Sequence, residues 1–250
     1  MSSVIALLEK ERPRFSPLEM KFIKYVLSRK VPRLVIRAAL ESTEGLHFLE
    51  QYPNAATVMG STRSKPGSPE YREAYKIGRG LAEMGLPVIT GGGGGIMEAV
   101  NKGALNAGGE SIGIVIRLPR LFKFERPNQY STRVRRIKHF FVRKLIMEHP
   151  SRVNIFFPGG LGTFDEFFEL ATLIQTRKID PVPLLLVDIP GRRVQFWREV
   201  ERCIKNTMLK EYKTVSSEDF TIWKRLCGAD ATLRHIKRLM VQGIIPAQGK

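Results

Sequence analysis

The chain has 250 residues, 43% of them hydrophobic and 26% charged. That composition suits one large α/β domain or two small ones and excludes disordered, collagen-like and disulfide-scaffold classes. Forty-one Lys and Arg against 24 Asp and Glu leave a net charge of +17, which predicts an anionic partner: nucleic acid, a phosphorylated metabolite or an acidic membrane surface. Cys203 and Cys227 form no metal-type pair. The N-terminal MSSVIALLEKERPRF has too short an apolar run for a signal peptide, and no other run approaches a membrane span. A soluble, cytoplasmic protein with no membrane partner is the expectation.

Residues 1–50 read as a basic helical arm, with Leu18, Phe22 and Val26 spaced along one apolar face and Pro13, Pro17 and Pro32 as punctuation. Residues 51–250 have a different rhythm, in which short apolar runs alternate with amphipathic stretches of helical length. Strands are expected at 55–60, 86–90, 111–116, 152–157 and 182–187. Helices are expected from Pro69 to about Met84, from Ile96 to Gly108-Gly109, and over FDEFFELATLIQ, with two or more amphipathic helices closing the chain. Alternation of this kind implies right-handed crossovers. The fold class is therefore α/β: a Rossmann-like, doubly wound parallel sheet with helices on both faces, extended by helices at both ends.

Two junctions carry chemistry, VIT-GGGGG-IMEAV and IFF-PGGLGT-FDEFF. Glycine lets the backbone turn tightly with its N–H groups exposed, and the following helix N-terminus adds partial positive charge, so each junction can cradle a phosphate. Neither has the Gly-Lys-Ser/Thr of a P-loop or the spacing of a dinucleotide fingerprint. Two such loops on successive strand ends beside the switch point predict nucleotide binding, with Gly92 and Gly93 as contacts from the first. In the second, Glu166, Glu169 and Thr172 recur every three residues and are expected to look into one crevice. Phe164, Phe167, Phe168 and Leu170 should form the buried face of that helix. A carboxylate beside a phosphate site suits a ligand that becomes positive during reaction.

PGGLGTFDE (158–166) and Arg143-Lys144-Leu145-Ile146-Met147 resemble the P-G-G-x-G-T-x-x-E and R-K-x-x-M signatures of the Lonely Guy (LOG) family of nucleoside-monophosphate phosphoribohydrolases, over about residues 55–200. The resemblance implies hydrolysis of a nucleoside 5'-monophosphate, AMP or a cytokinin-type nucleotide, to free base and ribose 5-phosphate. It implies Glu166 and Arg143 as catalytic residues. Substrate contacts are implied at Lys144, Gly159, Gly160, Gly162, Thr163, Thr172 and, after the third strand, Glu125. It also implies a homo-oligomer, a dimer, and no metal or cofactor. Members often carry the label lysine decarboxylase, but no pyridoxal-phosphate lysine motif is present here.

Chemically, cleaving a ribosyl C–N bond builds positive charge at C1′ and the ring oxygen, which a nearby carboxylate stabilises more in the transition state than in the ground state. The alternative is a non-catalytic carrier or sensor on the same fold, binding a nucleotide, an alarmone or a phosphorylated pterin. Nucleic-acid binding is disfavoured, because no helix-turn-helix, RNP or zinc motif is present. His47, His139, His149 and His235 show no ligand spacing. Trp197 and Trp223 read as core anchors, and Cys203 and Cys227 as buried thiols on helix-like segments. From Arg117 to Arg152 there are eleven Lys and Arg against Glu125 and Glu148, which predicts an electrostatic funnel around Arg143.

Overall fold

The computed structural model describes residues 16–18, 21, 24, 25, 30–117, 127–148 and 151–246. Phe22, Val26, Pro13, Glu125 and His149 lie outside them. The chain divides into two compact units, Met1–Glu44 and Gly45–Lys250. Helix α1 runs Lys30–Leu49. Pro32, read as punctuation, falls inside this helix.

In the second unit, seven parallel strands form one sheet: β1 Ala55–Met59, β2 Val88–Thr90, β3 Ser111–Ile116, β4 Arg133–Ile137, β5 Ser151–Phe156, β6 Leu184–Asp188 and β7 Trp223–Cys227, in the order β4-β3-β2-β1-β5-β6-β7. Helices α2 (Pro69–Glu83), α3 (Ile96–Asn106), α4 (Phe140–Glu148), α5 (Leu161–Gln175), α6 (Phe196–Cys203) and α7 (Gly228–Val241) connect and close it. The five expected strands are present. Strands β4 and β7 and helix α4 were not anticipated. Both strands are sheet edges with mixed polar sequences, RVRRI and WKRLC, so neither shows the apolar run of a strand buried on both faces.

Side-chain alternation along β5 divides the core. Val153 and Ile155 face α2, α3 and α7, packing with Ile77, Leu81, Val100 and Ile236. Phe156 faces the opposite layer, with Phe167, Leu170 and Trp197. Trp197 is fully buried; its Nε1 donates to Phe156 O at 2.9 Å and its ring meets Phe167 edge-on at 5.3 Å. Trp223 packs on the same cluster, so both tryptophans are core anchors as expected. The thiols are not: Cys203 and Cys227 are exposed, and Cys227 ends a strand. Phe168 is also 41% exposed, turned off the buried face that Phe167 and Leu170 occupy.

The chain steps outward from β1 through β2 and β3 to β4, then returns to lay β5 on the other side of β1. The switch point therefore lies between the carboxyl ends of β1 and β5, where ligands bind in open α/β sheets. The two glycine loops follow β2 and β5, which are not neighbours; β1 separates them.

Candidate active site

A crevice of about 1040 Å³ opens at this switch point. Its floor and walls come from the β1 loop (Gly60 to Lys65), Gly91 after β2, Arg143 and Lys144 of α4, and Pro158 to Glu166 at the start of α5. Helix α2 contributes Glu70, and the segment after β6 contributes Arg192 and Phe196.

Helix α5 starts at Leu161 behind Gly160, an extended N-cap with no side-chain capping bond. Its first-turn N–H groups have no acceptor in the helix. A Cβ at Gly160 or Gly162 would meet nothing within 4 Å, whereas one at Gly159 would collide with Thr163. Gly159 thus lets Thr163 pack at 6% exposure, and Gly160 and Gly162 keep an open space in front of the helix N-terminus. That is the geometry of an anion cradle.

Glu166 lines the crevice from the second turn of α5. The adjoining Phe167 is fully buried in the aromatic cluster around Trp197, which fixes the helix that carries the carboxylate. Arg143 reaches the crevice from α4 at 8% exposure, and its Nε is buried without a hydrogen-bond partner among the described residues. An unanswered buried guanidinium donor in a crevice wall suits an anionic or oxygen-rich ligand. Helix α4 is held at its end by Met147 O, which accepts from Thr57 Oγ1 at 3.2 Å and Ser151 Oγ at 2.7 Å.

Lys144 lines the crevice beside Arg143 and is held by two carboxylates of α5. Its Nζ pairs with Asp165 Oδ2 at 3.1 Å and with the Glu169 carboxylate. Burial disfavours its charge, but hydrogen bonds to Glu169 and Asp165 outweigh that and hold its pKa above the ordinary lysine value. Glu169 and Thr172 do not join Glu166 in the crevice. They line a separate hollow of about 490 Å³ with Leu161, Phe164 and Phe168. Each step of three residues along α5 advances about 4.5 Å, so the row leads away from the cradle.

Gly92 and Gly93 also lie outside the crevice lining. Gly92 has φ +69°, and a Cβ there would press on Val115. Their loop is braced from behind by buried and half-buried polar groups: Gly92 N donates to Thr90 Oγ1 at 3.0 Å, Thr90 Oγ1 to Asn101 Oδ1 at 2.6 Å, and Asn128 Nδ2 to Gly93 O at 2.9 Å. The first glycine loop shapes the site through Gly91, against which the Arg143 guanidinium packs.

Ser61 went unrecognised in the sequence. Its O accepts from Ile96 N at 2.9 Å, and its N donates to Pro158 O at 3.2 Å, so the β1 loop ties both glycine turns together. Arg63, Lys65 and Arg192 were missed as well. Arg192 Nε donates to Glu70 Oε1 at 2.7 Å. Burial works against the Glu70 charge, yet its own backbone N–H and Arg192 together lower the carboxyl pKa. For Ser61, Arg63 and Lys65 the available signal was the general rule that ligands bind where the strand order reverses, a place the loop after the first strand often borders; Arg192, after β6, had no such signal.

The basic run from Arg117 to Arg152 divides. Arg143 and Lys144 line the crevice, while Arg133, Arg135 and Arg136 sit on edge strand β4, about 14 Å from β1 at three strand spacings. Charged edge strands discourage edge-to-edge pairing. Among the described residues, no cluster of three metal-ligating side chains occurs and no helix is long and apolar enough to cross a membrane.

The sequence profile of the family described as possible lysine decarboxylase matches residues 97–236. The chain belongs to this family, the LOG family. A LOG-family protein of Oryza sativa subsp. japonica, named probable cytokinin riboside 5'-monophosphate phosphoribohydrolase LOGL5, is 35% identical over 142 residues, which is 55% of this chain and 56% of that one. A cytokinin riboside 5'-monophosphate phosphoribohydrolase of Rhodococcoides fascians is 29% identical over 123 residues, 48% of this chain and 61% of its own. In both cases less than two thirds of the relative's length is spanned. Among solved structures, the molybdenum cofactor carrier protein of Chlamydomonas reinhardtii superposes with a TM-score of 0.53 at 20% identity, covering 75% of this chain and 98% of its own; at that identity the likeness is one of fold.

Proposed function

We propose that this LOG-family chain hydrolyses the N-glycosidic bond of nucleoside 5'-monophosphates, releasing the base and ribose 5-phosphate. The observation that carries this reading is the placement of Arg143 and Glu166 in one crevice with the open N-terminus of α5. A 5′-phosphate fits the Gly160–Thr163 turn, where backbone N–H groups and the helix dipole favour a dianion. Glu166 then faces the ribose, and its charge stabilises the oxocarbenium-like centre as the C1′–N bond lengthens. Water adds at C1′ and gives up a proton as the base leaves with one. Arg143, forked and always charged, orients the ribose or the carboxylate.

Purified protein incubated with AMP should release adenine and ribose 5-phosphate, and Glu166→Gln should abolish that release while the fold is retained. The same fold occurs in a protein named as a molybdenum cofactor carrier, which makes retention of a phosphorylated ligand without turnover the competing outcome. We further propose a cytoplasmic homodimer. Phe140, Phe141, Leu145, Leu161 and Phe168 are 41–89% exposed on α4 and α5, an apolar face that a second copy would cover. Sedimentation giving a monomer at micromolar concentration would refute the dimer.

A further inference from the structure

We propose that Lys144 is a positioning residue: through Asp165 and Glu169 it sets the placement of Arg143 against Glu166, a role that rests on the hydrolytic reading above. Arg143 and Lys144 are consecutive on α4, and Asp165 and Glu166 are consecutive on α5. Neighbouring helical residues point about 100° apart. Arg143 can therefore turn into the crevice while Lys144 turns to α5, and Glu166 can face the crevice while Asp165 turns to Lys144.

Asp165 and Glu169 are four residues apart, which stacks their carboxylates on one face of the helix. Lys144 Nζ enters between them, 3.1 Å from Asp165 Oδ2 and 3.3 Å from Oδ1, and also contacts Glu169. With its side chain 21% exposed, the ammonium has its charge answered by protein carboxylates. Lys144 lines both the crevice and the neighbouring hollow, so it stands at the partition between them. The two helices carrying the reacting side chains are joined one residue away from each.

The test compares wild type with Lys144→Met, Lys144→Arg, the double variant Asp165→Asn/Glu169→Gln and the triple combination, measuring AMP turnover and calorimetric binding of ribose 5-phosphate. Removing either side of the clamp should lower kcat about tenfold or more, as small misplacements of catalytic groups do, with KM and the ribose 5-phosphate Kd held within about twofold. Lys144→Arg should recover most of the loss, and the triple variant should be no worse than Lys144→Met. Unchanged kcat in Lys144→Met overturns the proposal. So does a tenfold rise in KM or Kd in Lys144→Met with the double variant unaffected or tighter, which is the behaviour of a phosphate ligand. If Lys144→Met does not fold, the double variant and Lys144→Arg decide by the same criteria. Wild type that binds ribose 5-phosphate but releases no base defeats the hydrolytic reading instead; a weakened Kd in Lys144→Met then returns the lysine to the phosphate, and an unchanged Kd keeps it on the carboxylates.

Discussion

The Arg143 guanidinium occupies the space that a side chain on residue 91 would need, with Met97 Sδ on its other flank. This contact joins the first glycine loop to the arginine proposed for catalysis and gives Gly91 a role that no ligand contact requires. Gly91→Ala should therefore fold, because the obstructing atoms are the mobile ends of two long side chains. It should lose at least about tenfold in kcat, because Arg143 is displaced. Thermal melts and turnover on the same preparation check this. A variant with full activity would show that Arg143 is not needed where it stands.

A second glycine tests packing without touching the site. A Cβ on Gly103 of α3 would run into the Tyr75 carbonyl and the Arg79 backbone nitrogen of α2, rigid atoms that cannot step aside. Gly103→Ala should cost about 1–3 kcal/mol, the usual penalty of overpacking. Denaturant unfolding should show a lowered midpoint with an unchanged slope.

The pairing of Glu70 with Arg192 predicts an acid-sensitive contribution to stability. Burial opposes the Glu70 charge, but its backbone hydrogen bond and Arg192 prevail and depress its pKa below the ordinary glutamate value. A carboxyl whose folded pKa lies below its unfolded one binds protons more readily when unfolded. Its stabilisation is thus fully present above about pH 4.5 and is lost as pH falls through the lower folded value. Glu70→Gln should be less stable than wild type near pH 7 by about 1 kcal/mol or less, given the half-exposed Arg192. The difference should shrink below pH 4.5. A gap that widens on acidification would contradict the assignment.

Much of this arrangement could be read from residue order, and the rest was decided by topology. The five interior runs, from AATVM to LLLVD, are rich in apolar residues because both faces of those strands are largely buried. The PGGLGT turn gave itself away through glycines that face open space. Strand β4 escaped notice because Arg133, Val134 and Arg136 are exposed on an edge. The different placement of the two glycine loops relative to the crevice is not legible in the sequence, for another reason. Sequence shows which strands precede glycine, but not that β1 lies between them and brings Ser61 against both turns. Lys144 belongs to a matched motif, yet only the structure shows its ammonium paired with Asp165 and Glu169 of α5.

The most direct test of the central claim is chromatographic detection of free base from a panel of nucleoside 5'-monophosphates, AMP included, incubated with purified wild type and Glu166→Gln. Wild type should give stoichiometric base and ribose 5-phosphate, and the variant a rate at least about 100-fold lower. Folded wild-type protein that releases base from no member of the panel would contradict that claim.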